Sequence, residues 1–132
     1  MGDLQVSVSR TGIYTLVTVT GDADIVAAPR LESRLVPVSS GQRHVVLDLG
    51  GVTFLDSTTV GVLLGLYRSL HRGRGTLALV APPGGVARRV LDLLGIPSRV
   101  PTYDRLGEAL TTEGVEPGEG GPGRGDPAGE DR

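Results

Sequence analysis

The sequence has no cysteine and no tryptophan, and all 13 of its basic residues are arginine. Without cysteine there is neither a disulfide framework nor a thiolate nucleophile or metal ligand. Without lysine there is no chemistry that needs a side-chain amine. Aromatics are confined to Tyr14, Phe54, Tyr67 and Tyr103, too few for a platform on which bases could stack. Charge of one sign is scarce as well. Residues 1–112 carry 11 Arg against 9 acids, and residues 113–132 carry 2 Arg against 6 acids, so neither part has the basic face of a nucleic-acid binder. The most apolar stretch, 60–67, is interrupted by Gly61 and Gly65, whereas a membrane-spanning helix needs about 20 apolar residues. Asp3 lies in a polar, alternating opening that does not read as a secretory signal. At 132 residues and 39% hydrophobic, the expectation is one soluble, cytoplasmic domain with no membrane insertion.

What is present is strongly patterned. Residues 113–132 hold seven Gly and three Pro, with Val115 and Ala128 the only aliphatic side chains. Such a segment cannot bury enough apolar surface to offset its ordering entropy, so residues 1–112 are expected to fold and 113–132 to form a disordered tail. The tripeptide Arg124-Gly125-Asp126 is set aside as a chance match in a segment rich in those residue types. Leu4, Val6 and Val8 alternate with polar residues, the period of a half-buried strand. Arg10-Thr11-Gly12 reads as a turn, and residues 13–20, rich in β-branched side chains, as a second strand. Strands joined so tightly must be antiparallel. Gly21-Asp22-Ala23-Asp24 reads as a loop and Pro29 as the first turn of a helix with Ala28, Leu31 and Leu35 inward, stopping before Pro37.

Residues 44–49 form an apolar run of the kind found in a buried strand. Val60, Leu63, Leu64, Tyr67 and Leu70 make a helical stripe, and residues 76–80 a further buried strand. Val86, Val90, Leu93 and Leu94 form another stripe, closed by Gly95 as a C-terminal cap. An extended piece near Arg99 and Val100 precedes a last helix, with Asp104 as its cap and Leu106, Ala109 and Leu110 inward. The order is β-β-α-β-α-β-α-β-α. This predicts an α/β fold, a single mixed sheet opening with an antiparallel hairpin and continuing in parallel through right-handed crossovers.

The segment Val52-Thr53-Phe54-Leu55-Asp56-Ser57-Thr58-Thr59 joins a buried strand to an amphipathic helix. Asp56 or Ser57 can cap that helix by accepting a backbone N–H of its first turn. Plain capping accounts for these residue types. The alternative is a regulatory phosphate site. A phosphate here would place nearly two negative charges where the helix dipole tolerates an anion, while a surface docked over the helix start would meet new bulk and charge.

These residues resemble the signature of the anti-sigma factor antagonists, the family whose domain is called STAS: a hydrophobic strand (44–49), an Asp-Ser-Thr turn (Asp56-Ser57-Thr58) and a Leu/Val-rich helix (60–70). Gly21-Asp22-Ala23-Asp24 followed by Pro29-Arg30-Leu31 is similar to the family's first loop and helix, and residues 86–96 to its third helix and closing Gly. The resemblance covers about residues 4–112, in matching order. It implies a non-enzymatic domain with no cofactor or metal, phosphorylated at Thr58, with Ser57 and Thr59 as the alternative hydroxyls. The implied partner is an ATP-binding anti-sigma factor serine/threonine kinase, bound through Asp24, Asp56, Ser57, Thr58 and Thr59 only while the antagonist is unmodified. That binding frees a sigma factor. Thr59 stands where the family commonly has Gly. Two other roles of the same domain, a subunit of a lipid-transport ATPase complex and a stressosome-type scaffold, are alternatives.

Other classes fit less well. Asp48 could suggest a receiver-domain phospho-acceptor, but that chemistry resembles an acid cluster around Mg²⁺ with an accessory Lys, which is lacking; Asp48 reads as a strand-end or salt-bridge residue. His44 and His71 sit in no recognisable catalytic constellation, and Gly84-Gly85 lacks a P-loop or dinucleotide pattern. Removing residues 113–132 is expected to leave the thermal midpoint unchanged within error in a calorimetric scan; a drop of several degrees would show that this segment packs against the domain.

Overall fold

The computed structural model describes residues 3–110. The chain runs β1 (Gln5–Thr11), β2 (Tyr14–Ala23), α1 (Ala28–Gly41), β3 (His44–Leu55), α2 (Ser57–Arg72), β4 (Thr76–Val80), α3 (Val86–Leu93), β5 (Thr102–Tyr103) and α4 (Leu106–Leu110), with a 3-10 turn at Ile96–Ser98. The order is the expected one. The reading of 113–132 as a tail, and its boundary at 112, lie outside the described residues. One five-stranded sheet has the spatial order β1-β2-β3-β4-β5. β1 pairs antiparallel with β2, and β2 through β5 are parallel. Sequential parallel strands advancing in one direction through right-handed crossovers place α1, α2 and α3 on one face. α4, which follows β5, packs on the other.

Two apolar clusters correspond to the two faces. The larger gathers Leu31, Leu35 and Val38 of α1, Val60, Leu63, Leu66 and Leu70 of α2, and Leu91 of α3 against Val17, Val19, Val45 and Leu47. The smaller holds Tyr14, Val46, Val80 and Ala109, with Leu16, Tyr103, Leu106 and Leu110 around them. Val45, Val46 and Leu47 are essentially inaccessible, as expected of a strand covered on both sides, and this explains their unbroken apolar run.

The structure corrects several boundaries. β1 extends through Thr11, and the turn is the pair Gly12-Ile13, with Gly12 at φ +61° as tight hairpins favour at their first central position. Leu4, just ahead of β1, is buried and Val6 half-buried, but Val8, farther along this edge strand, is exposed. α1 continues past Pro37 to Gly41. Pro37 is on the solvent side, where water can take the carbonyl its missing N–H leaves free, and the stripe Ala28, Leu31, Leu35 carries on to buried Val38. α2 buries Leu66, while Leu64 and Tyr67 are half-buried.

α3 buries Ala87 and Leu91, keeps Val90 half-buried against the larger cluster and leaves Val86, Leu93 and Leu94 exposed, so of the expected stripe only Val90 packs on the core. Small Ala87 permits close approach to the sheet, and that sets the helix's rotation. Gly95 does adopt the left-handed conformation after α3, at φ +71°. β5 is Thr102–Tyr103, a few residues beyond the expected position. Asp104, expected to cap α4, is engaged by α3. Its carboxylate accepts from Arg88 Nη1 at 2.9 Å, and the same Nη1 reaches the Ala81 carbonyl at 2.8 Å. These bonds tie α3 to the ends of β4 and β5, and the Asp104 bond raises the pKa of Arg88.

His44 opens β3 in a buried position, with Nδ1 2.9 Å from Thr76 Oγ1 on β4. Burial, and then the neighbouring Arg43, push its pKa below the ordinary 6.5. An imidazole that protonates less readily folded than unfolded contributes stability above pH 6.5 and loses it as pH falls through the interval below. Urea midpoints measured from pH 8 to pH 5 are expected to drop in that acidic interval, and the drop should shrink in His44→Gln. An equal drop in both proteins would clear His44 of the effect.

Candidate partner-docking site

The expected site forms because two neighbouring strands end together. β3 is twice as long as its apolar run suggests, extending through Gly50-Gly51 to Leu55. β2 likewise extends through Gly21-Asp22-Ala23, expected to be loop. Their parallel ladder reaches Ala23↔Leu55, with one extra β3 residue between the Thr18 and Thr20 pairs and another between the Gly21 and Asp22 pairs. Gly51 is required by the first irregularity, because a Cβ there would stand 2.7 Å from Thr20 Cγ2. Asp48 therefore lies within β3 and not at its end. Its Oδ1 accepts the Gly50 N–H at 2.9 Å, a contact that serves the bulge.

Past Leu55 the chain turns into α2. Asp56 is the N-cap, in extended conformation at φ −116° and ψ 174°, and its Oδ1 accepts the Thr59 N–H at 2.9 Å. Ser57 and Thr58 occupy the first two helical positions and are exposed. Their N–H groups belong to the turn that has no intrahelical acceptors. Thr59 points the opposite way. It is completely buried, with Oγ1 2.8 Å from the Ala23 carbonyl and 2.9 Å from Asp56 Oδ1.

Past Ala23, the chain enters a turn organised by Asp24. Its Oδ1 accepts the Ala27 N–H at 2.9 Å, and its carbonyl accepts from the Ala27 and Ala28 N–H groups. The turn thrusts Ile25 and Val26 outward, 62% and 84% exposed, and Phe54 near the end of β3 is 47% exposed. Asp24 and residues 56–59 are thus brought to one end of the sheet. The apolar members of that end, Ile25, Val26 and Phe54, escaped the sequence reading. The available signal was that Ile25 and Val26 precede Pro29 and belong to no helical stripe.

The other candidates lie elsewhere. His44 is at the opposite end of β3, bonded to Thr76. His71, in the last turn of α2 beside Arg72, stacks on Tyr67 with ring centroids 6.0 Å apart; a cation there would suit the helix dipole. Gly84 and Gly85 lead into α3, Gly84 at φ +83°. A cleft of about 520 Å³ lined by Asp48, Gly50, Val80, Pro82, Pro83, Asp104, Arg105 and Leu106 shares no residue with the α2 start. Among the described residues no three His, Cys, Asp or Glu side chains gather to hold a metal ion, and no helix is long and apolar enough to cross a membrane.

The sequence matches the STAS domain family over residues 5–109. The anti-sigma F factor antagonist of Paenibacillus polymyxa is 39% identical over 70 residues, which cover 52% of this chain and 57% of that protein. The anti-sigma-B factor antagonist of Bacillus subtilis (strain 168) is 32% identical over 63 residues, 48% of this chain and 58% of that one. The chain therefore spans little more than half the length of these two curated relatives. The crystal structure of an anti-sigma factor antagonist from Mycobacterium paratuberculosis superposes with a TM-score of 0.76 at 32% identity, covering 83% of this chain and 92% of that one.

Proposed function

The chain belongs to the STAS domain family, and from that premise we propose that it is an anti-sigma factor antagonist that works by partner switching. Unmodified, it docks an ATP-binding anti-sigma factor serine/threonine kinase over the start of α2, which frees a sigma factor. The kinase then transfers the γ-phosphoryl group of ATP to Thr58 Oγ1, with loss of the hydroxyl proton and release of ADP, and docking ends. The domain supplies the acceptor hydroxyl and the surface, and no catalysis of its own.

The observation that carries this reading is the exposed Thr58 at the same end of the sheet as the exposed apolar side chains of Ile25, Val26 and Phe54. Apolar area buried by a partner contributes about 25 cal/mol per Å², and a shoulder this exposed on a small domain suits an interface core. A phosphate in that patch would have to be desolvated on docking, which costs several kcal/mol per buried ion without a partner charge. The fold itself would tolerate the same phosphate, because it would lie in solvent at a helix N-terminus. Modification can thus separate binding from folding. Of the three neighbouring hydroxyls, Thr59 is disfavoured because it is fully buried and already bonded. Asp56 and Asp24 shape the two turns, and Ser57 and Thr58 face the partner.

Affinity capture from the native lysate, with the wild-type chain and Thr58→Glu as paired baits, tests the proposal. The expected result is a small ATP-binding kinase retained by wild type and reduced about tenfold or more by Thr58→Glu, with circular dichroism unchanged. Glu supplies one charge where phosphate supplies nearly two, so the modified protein should bind still more weakly. Equal retention of that kinase by both baits would overturn the switch. Capture of a transporter ATPase or a many-copy scaffold by both would transfer the domain to one of those roles.

A further inference from the structure

The two turns that make up the docking face are separate in sequence, and the ladder that holds them side by side stops at Ala23↔Leu55. Beyond it, a cross-connection joins them through the side chain of Thr59. Its hydroxyl lies between the Ala23 carbonyl at 2.8 Å and Asp56 Oδ1 at 2.9 Å, with none of its surface accessible. Ala23 is the residue before Asp24, and Asp24 forms the turn that displays Ile25 and Val26. Asp56 is the cap of the helix that displays Thr58.

We infer that Thr59 is a positioning residue: its buried hydroxyl clamps the Asp24–Ala27 turn to the start of α2 and presents the apolar shoulder and Thr58 as one preformed surface. The bond is formed without competition from water, so its loss removes a buried donor from the Ala23 carbonyl. A preformed surface also spares a partner the ordering of a loop. A residue without a side-chain hydroxyl at this position could not form the clamp. The inference rests on the reading of this end of the sheet as a docking face, but the clamp can be measured on the free chain.

The test compares the full wild-type chain with Thr59→Ala and Thr59→Ser by amide hydrogen exchange. Ala27 and Ala28 report the first turn, Thr59 and Val60 the helix start, and Val17 and Leu47 the core. Thr59→Ala is expected to speed exchange at the four site amides about tenfold while the core amides hold, as local opening does. Thr59→Ser, which restores a hydroxyl, should return them to the wild-type rate. Site amides unchanged in Thr59→Ala would overturn the clamp. So would site and core amides rising together in Thr59→Ala, because the residue would then support the fold as a whole. A second arm measures the affinity of the kinase retained by the wild-type bait: Thr59→Ala should weaken it severalfold and Thr59→Ser should rescue it. Unchanged affinity of that kinase for Thr59→Ala would overturn the positioning role. If wild type retains no kinase, the docking reading fails, and the exchange rates still decide the clamp.

Discussion

The parallel ladder between β2 and β3 is the constraint on which the rest of the structure depends. It brings Val17 and Val19 beside Val45 and Leu47 at the centre of the larger cluster, where the burial of branched apolar side chains supplies most of the driving force for folding. Because both strands run on to Ala23 and Leu55, the chain leaves them at adjacent points. Asp24 and Asp56, 32 positions apart in sequence, thereby become neighbouring turn-formers. Two irregularities, one of them at Gly51, let the longer β3 stay in step with β2 to the end.

At that end the physical problem is the helix start. The first N–H groups of α2 need acceptors. Asp56 supplies one for Thr59, and Thr59 turns its own hydroxyl inward to Ala23. Ser57 and Thr58 are left facing solvent at the end of the sheet where Ile25, Val26 and Phe54 are also exposed. One short stretch therefore combines a rigid base with an exposed, modifiable rim. On the proposed reading, charge added to the rim changes what docks there while the buried base keeps its bonds.

Much of this was legible in the residues. The β-branched second strand and the short apolar runs at 44–49 and 76–80, too short for helices and flanked by glycine, read as strands, and the Val60-Leu63-Leu70 stripe as a helix, which gives the element order and the mixed sheet. The Asp-Ser-Thr-Thr start of α2 was legible for the same kind of reason, since capping has a strict residue preference. Extensions and rotations were less so. Gly50-Gly51 and Gly21 look like loop until strand pairing shows that they accommodate bulges. Pro37 stops a helix only where its neighbours need the missing bond, and on the solvent side they do not. In α3, large apolar residues suggest one face, but the approach allowed by Ala87 selects another. Ile25, Val26 and Phe54 could not be assigned by periodicity, because they serve no buried face.

On the proposed reading, the α2 start of this STAS domain is a binding surface that carries its own phosphate acceptor. The most direct measurement is to incubate the full chain with the kinase it retains and ATP, then to locate the phosphate by peptide mass spectrometry while following release of the complex. The account predicts a single phosphate, on Thr58, appearing as the complex dissociates. Phosphate on Ser57 alone, or a complex that persists once Thr58 is modified, would contradict it.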